Sequence, residues 1–349
     1  MKAFFHLHKL MKKTRVAING FGRIGRGFTR QILASPFADE IEIVAINDIG
    51  QAGMLAHLFE FDSVHGRFSG TVSFSDDHLI LNDVKIPLTQ ISDPSKLNWT
   101  PFSPDVVIEC TGKFKTESDA QKHIDAGGAR VIISAVAKGE SIKTIVLGAN
   151  EDLLDGSEKV ISNASCTTNC AAPLVDIIDR HFEIESGYIT TVHSYTSDQT
   201  LHDRPHDDYR RARAAALSII PTTTGAAKAI TRVFPNLDGR LGGAGIRVPV
   251  PNGSLTDITY IVKKQTDVAE VNRVFAEAAV NGRWKGYLEY TEKPIVSIDV
   301  VGNTHSCVYD AQLTSVIGDM VKVVGWYDNE IGYSSRLIDL VRYWSKLWD

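Results

Sequence analysis

Arg15-Val16-Ala17-Ile18-Asn19 followed by Gly20-Phe21-Gly22-Arg23-Ile24-Gly25 constrains this chain more than any other stretch. A short apolar strand, a glycine-rich turn and a helical pattern from Arg26 to Leu33 read as the opening of a βαβ unit. In that context each glycine has a task. Gly20 permits the tight turn, Gly22 lets backbone approach a pyrophosphate, and Gly25 packs helix on strand. The helix N-terminus then faces the phosphates, so Arg23 and Ile24 are grouped with the glycines as nucleotide-binding.

A second strand, Glu42 to Ile46, ends at Asn47-Asp48, with Asp48 23 residues beyond Gly25. That is where a carboxylate bonds the adenosine ribose, and its charge repels a 2′-phosphate, which favours NAD over NADP. Read without the glycines, Asp48 is equally a turn residue after a strand. Ala52 to Phe61 and Glu117 to Ala126 read as helices, and Val72 to Ile86 as hairpin strands around Asn82-Asp83. Asp105 to Glu109, Val131 to Ile133 and Thr144 to Leu147 read as further strands. Strands alternating with helices predict a Rossmann-type, mostly parallel sheet. Its ligand crevice lies at the carboxyl ends of the strands, where Thr111 and Ser134 fall.

The 349 residues leave room for two domains, and 43% hydrophobic with 23% charged residues describes an ordinary globular chain. A net charge of −5 supplies no electrostatic drive toward nucleic acid or membrane. No apolar run approaches the roughly 18–20 residues of a membrane helix. Four cysteines, Cys110, Cys166, Cys170 and Cys307, make no disulfide framework, and Cys166/Cys170 lacks a second ligand pair for zinc. No metal is expected, and a reducing cytoplasm fits best. Residues 1–12 read as an extension or disordered segment.

The chemistry centres on Ser162-Asn163-Ala164-Ser165-Cys166-Thr167-Thr168-Asn169-Cys170, just before the apolar, helix-like run Ala171 to Phe182. A helix start favours thiolate over thiol, and the hydroxyls of Ser165 and Thr167 suit an anion. The alternative is a small buried cysteine, against which the polar neighbours argue. His193 ends a β-branched strand, Gly187 to Val192, and lies 27 residues past Cys166. A helix, a turn and a strand of that length can bring the two face to face, with His193 as base. Spacing alone leaves His193 balanced between that role and an ordinary surface histidine. Arg210, Arg211 and Arg213 read first as a solvated basic face and second as anion ligands.

Ser162 to Cys170 closely resembles the active-site signature of the glyceraldehyde-3-phosphate dehydrogenases. The resemblance continues through His193 to Thr196, Tyr209 to Ala215, Ile219 to Lys228, Ile246 to Pro249 and Trp326 to Glu330. It implies a Rossmann-type NAD-binding domain over residues 13–164, rejoined by a C-terminal helix within 330–349. Residues 165–329 would form an α+β catalytic domain with a mostly antiparallel sheet. It also implies Cys166 as nucleophile and His193 as base. Thr196 and Arg247 would hold the substrate phosphate. Ser165, Thr167, Arg211, Thr224 and Gly225 would hold the attacking inorganic phosphate. Asn329 would hold the nicotinamide carboxamide, with Tyr333 packed near the ring.

The reaction implied is the glycolytic conversion of D-glyceraldehyde 3-phosphate, NAD and inorganic phosphate to 1,3-bisphosphoglycerate, through a Cys166 thioester, by a cytoplasmic homotetramer. The sister activity on erythrose 4-phosphate is the alternative; Thr196 and Thr222 to Gly225 favour the triose. Three departures stand out. Ile331 replaces a usual tryptophan. Ile91 to Pro94 lacks an arginine that often supports the cofactor. Arg204 before Pro205, where leucine is common, is compatible with a 2′-phosphate.

Overall fold

The computed structural model describes residues 12–348. Apart from Lys12, which is exposed with its ammonium 3.8 Å from Asp105, the expected N-terminal extension lies outside the described residues.

Apolar strands buried on both faces build the first sheet. Its order is Lys143–Thr144, Val160–Ser162, Val131–Ile133, Val106–Glu109, Thr14–Asn19, Ile41–Asn47 and Val84–Thr89, all parallel. An antiparallel meander through His78–Leu81 to Val72–Ser75 closes one edge. The tight turn at Asn82 and Asp83 has both residues left-handed, at φ 50° and 66°, as a two-residue hairpin requires. Thr14–Asn19 lies between its successor Ile41–Asn47 and the later strand Val106–Glu109, so the order reverses there. That reversal opens a crevice beyond the strand ends, directly at Gly20.

The expected strand Thr144 to Leu147 shortens to Lys143–Thr144. Asn150 ends it, its Oδ1 accepting from Val146 N at 2.9 Å and its amide donating to Thr144 O at 2.9 Å. A local side-chain bond here replaces the ladder.

The second sheet runs Ile220–Thr222, Leu241–Val248, Ile184–Ser194, Ser254–Val262, Met320–Tyr327, Cys307–Asp310, Leu288–Thr291, with Ser315–Ile317 added on Met320–Tyr327. Only Ile184–Ser194 with Leu241–Val248, and Leu288–Thr291 with Cys307–Asp310, pair in parallel. The sheet is therefore mostly antiparallel, as expected. The helix Cys166–Phe182 buries Cys170, Leu174, Val175 and Ile178 against Ile189, Ile258, Val321 and Val323.

The terminal helix Ile331–Ser345 returns to the first sheet, where Leu337, Leu340, Val341 and Trp344 join the core of Val16, Ile18 and Phe28. Gly27 lets it approach helix Arg23–Leu33 closely, since a Cβ there would meet Ser334 Oγ at 3.0 Å. Ile331 Cδ1 lies over the same glycine, so this departure from the family pattern is a packing contact between helices. Among the described residues no helix is long and apolar enough to cross a membrane.

Candidate active site

Two element lengths explain why residues 27 apart meet. The helix Cys166–Phe182 has 17 residues and runs about 25 Å. The chain reverses at Glu183, with φ 58°, and the strand Ile184–Ser194 returns over about 30 Å to His193. Cys166 Sγ thereby stands 3.4 Å from His193 Nε2. Ser165 caps the helix, its Oγ accepting from Thr168 N at 3.1 Å. Ala164 just before it has φ 56°, a strained conformation for a residue with a Cβ, and Tyr333 donates its hydroxyl to Ala164 O at 3.1 Å.

Strand pairing sets Arg247 directly beside His193, in the parallel register of Leu241–Val248 with Ile184–Ser194. Arg247 Nη1 lies 2.9 Å from His193 Nδ1 and donates to Ser194 O at 3.0 Å. His193 Nδ1 lies 2.7 Å from the same carbonyl; with the ring proton on Nδ1 it donates there and turns the Nε2 lone pair toward the thiol.

Burial pushes the Cys166 thiol up to about 11; the Arg247 charge and the Thr167 N–H pull it back. Burial and Arg247 push His193 down to about 3. Burial of both groups favours the neutral thiol and the neutral imidazole and so opposes the pull toward thiolate expected from the helix start.

The anion ligands divide into two groups. Thr196 follows the strand carrying His193, two residues beyond Ser194. Arg211 is gripped elsewhere: Nε donates to Thr222 Oγ1 at 2.9 Å, Nη1 to Asp198 at 2.6 Å and Nη2 to Thr223 O at 3.2 Å. Its charge still lowers His193, which puts it within electrostatic reach of the base. Thr224 and Gly225 open helix Ala226–Val233, with Thr224 Oγ1 accepting from Ala226 N at 3.2 Å. Arg210 and Arg213 are exposed, which is the solvated face expected for them. Thr167 is buried with its hydroxyl 2.9 Å from the Tyr327 hydroxyl, itself 3.0 Å from Thr191 Oγ1. Tyr327 meets the His193 ring edge-on with centroids 5.9 Å apart. Sequence reasoning quoted Tyr327 within a motif but gave it no role.

The crevice of the first sheet fits a dinucleotide. Gly20 has φ +95°, and a Cβ on it would fall 2.8 Å from Thr111 N. A Cβ on Gly25 would strike Gly20 O, whereas one on Gly22 meets nothing and would fill open space. No side chain caps the helix Arg23–Leu33, so the N–H groups of Arg23 and Ile24 stay free. The Arg23 side chain turns away to Asp62 and Glu330, at 2.7 and 2.5 Å. Asp48 accepts from Phe21 N at 2.7 Å and Gly50 N at 2.8 Å, so it also braces the glycine turn.

Thr111 is held on the buried Glu109 through its N–H, at 2.7 Å, and its hydroxyl. Ser134 Oγ and both polar atoms of Asn163 are buried near the Tyr333 hydroxyl. Asn329 Oδ1 accepts from Ser194 Oγ and Ser254 Oγ, both at 2.8 Å, leaving its N–H₂ to donate.

Two family models match the chain: "Glyceraldehyde 3-phosphate dehydrogenase, NAD binding domain" over residues 14–117 and "Glyceraldehyde 3-phosphate dehydrogenase, C-terminal domain" over residues 165–329. Glyceraldehyde-3-phosphate dehydrogenase of Mycobacterium avium is 52% identical over 331 residues, covering 94% of this chain and 97% of that protein. The protein of that name from Mycobacterium tuberculosis H37Rv has the same identity and coverage. Glyceraldehyde-3-phosphate dehydrogenase 1 of Bacillus subtilis 168 is 51% identical over 334 residues, covering 95% and 98%. With that likeness running through both sheets and the cysteine–histidine pair between them, the chain belongs to the glyceraldehyde 3-phosphate dehydrogenase family.

Proposed function

We propose that Cys166 is the nucleophile and His193 the base of an NAD-dependent, phosphorylating oxidation of D-glyceraldehyde 3-phosphate to 1,3-bisphosphoglycerate. The observation that carries the role assignment is the 3.4 Å contact of Cys166 Sγ with His193 Nε2 beside the Arg247 guanidinium. Relatives at 52% identity over nearly the whole chain carry the triose-phosphate name, which sets the erythrose 4-phosphate alternative aside.

Cys166 sulfur adds to the aldehyde carbon, and its proton passes through His193 Nε2 to the carbonyl oxygen, giving a hemithioacetal. His193 Nε2 then takes that hydroxyl proton as the carbon loses its hydride, leaving a thioester on Cys166. NAD, held by Gly20 to Gly25, Asp48, Thr111, Ser134, Asn329 and Tyr333, supplies the hydride acceptor. Inorganic phosphate attacks the thioester carbon, and the departing sulfur recovers its proton from His193. Guanidinium forks and hydroxyls suit the two phosphate positions: Arg247 with Thr196, and Arg211 with Ser165, Thr167, Thr224 and Gly225. The division of labour follows the sheets, with residues 13–164 and the terminal helix binding nucleotide and 165–329 doing the chemistry.

The assembly we propose is a cytoplasmic homotetramer. Leu201, Tyr209, Leu217 and Ile219 are 74, 91, 82 and 69% exposed within one segment, apolar surface that association would cover.

Replacing Cys166 by serine tests the assignment. Turnover should fall roughly 10³-fold or more while NAD binding persists. Substantial residual dehydrogenase activity would remove Cys166 from the mechanism.

A further inference from the structure

A polar network of three carboxylates lies beside the nicotinamide end of the crevice, and none of the roles above uses its histidine. Asp328 has a fully buried side chain. Its Oδ1 accepts from Glu330 N at 2.8 Å, Ile331 N at 2.9 Å and Asn252 Nδ2 at 2.8 Å. Its Oδ2 accepts from Gly302 N at 2.7 Å and faces His65 Nε2 at 3.2 Å. These bonds wrap the carboxylate around the turn that carries Asn329. On its other side, His65 Nδ1 stands 3.6 Å from Asp62 and 3.7 Å from Glu330. Asp62 in turn caps the His65 segment, accepting from Val64 N at 2.8 Å and His65 N at 3.0 Å.

We infer that His65 is a positioning residue for Asn329: as a cation it holds Asp328, and so sets the backbone from which the Asn329 amide reaches the nicotinamide side of the crevice. This rests on the reading of Asn329 given above.

Charge explains why a histidine serves there. Asp62, Asp328 and Glu330 face it, while Arg23 faces it from the glycine turn, with Nη2 3.3 Å from Nδ1. Arg26 and Arg30 act on Asp62 from behind. Three carboxylates against the single close guanidinium leave room for one more cation. Burial lowers His65, but the bonds to Asp328 and Asp62 more than offset it and raise it to about 9. The three carboxylates around it thus favour the charged ring at neutral pH, with the proton lost on the alkaline side. Because Arg23 also anchors Glu330, the network ties the turn that receives the phosphates to the turn that receives the ring.

The test is His65→Gln, which keeps a polar side chain and removes the charge, with KM for NAD and kcat followed from about pH 7 to about pH 10. In the unaltered enzyme, KM for NAD should rise about tenfold as pH passes through about 9, the loss of one charge-assisted bond. The variant should show a KM raised about tenfold already at neutral pH, with no further alkaline rise. A neutral-pH KM like the unaltered enzyme's, or the same alkaline rise in both, overturns the inference. If the variant fails to fold, a flat alkaline KM profile in the unaltered enzyme overturns it alone. Asn329→Ala separates the two levels. No effect of that change on NAD use removes the reading of Asn329, whereas an impaired Asn329→Ala beside a silent His65→Gln removes only the role of His65.

Discussion

Arg247 acts on both members of the reacting pair, in ways that a substitution separates. Its cation lowers the Cys166 thiol and lowers His193. Arg247→Gln should therefore raise both, so alkylation of Cys166 moves to higher pH and the acid limb of activity, set by neutral His193, also moves up. The same change should weaken the substrate phosphate site, raising KM for the aldehyde at least about tenfold. An alkylation profile that stays put would show that Arg247 is too well screened to reach the thiol. The cysteine stood out in the sequence because the polar residues are concentrated in one unusual run, whereas the helix–turn–strand spacing left the histidine balanced until the resemblance singled it out. The cost of burying both groups was not legible, since it depends on walls supplied by distant segments. Tyr327 was missed for a related reason: its contacts with Thr167 and Thr191 exist only once helix and sheet are packed.

Among elements, the glycine turn offers the sharpest contrast. Gly20 needs a left-handed backbone and has Thr111 N against it, whereas Gly22 has an ordinary φ of −76° and open space. Gly20→Ala should destabilise the fold by about 1–3 kcal/mol in denaturant unfolding. Gly22→Ala should leave stability within about 0.5 kcal/mol yet weaken NAD binding. Equal unfolding penalties for the two would contradict the division between a structural and a ligand-facing glycine. This strand–turn–helix was readable from local pattern, as were the helices Ala52–Glu60 and Glu117–Asp125, within a residue of expectation. The strand beginning at Thr144 was overextended because the Asn150 side chain ends it, a competition that an apolar run does not display. Helix Cys166–Phe182 starts five residues before the expected Ala171, since polar residues fill its first turn. Arg247 reaches His193 through a parallel pairing between neighbouring strands whose paired residues lie 54 apart in the chain, and periodicity carries no register of that kind.

At the scale of the molecule, the proposed function has one sheet receive the dinucleotide at its switch point and the other supply a thiol and a base. The terminal helix and the network around Asp328 lock the two together. On the proposed mechanism a single catalytic cycle uses both sheets and both anion positions, with phosphate entering only after the thioester has formed. The most direct test is initial NADH formation from glyceraldehyde 3-phosphate, with and without inorganic phosphate. Phosphate should sustain turnover; without it the reaction should stop after about one NADH per Cys166, the thioester having no acceptor but water. Sustained turnover that ignores phosphate, or no burst in its absence, would contradict the account.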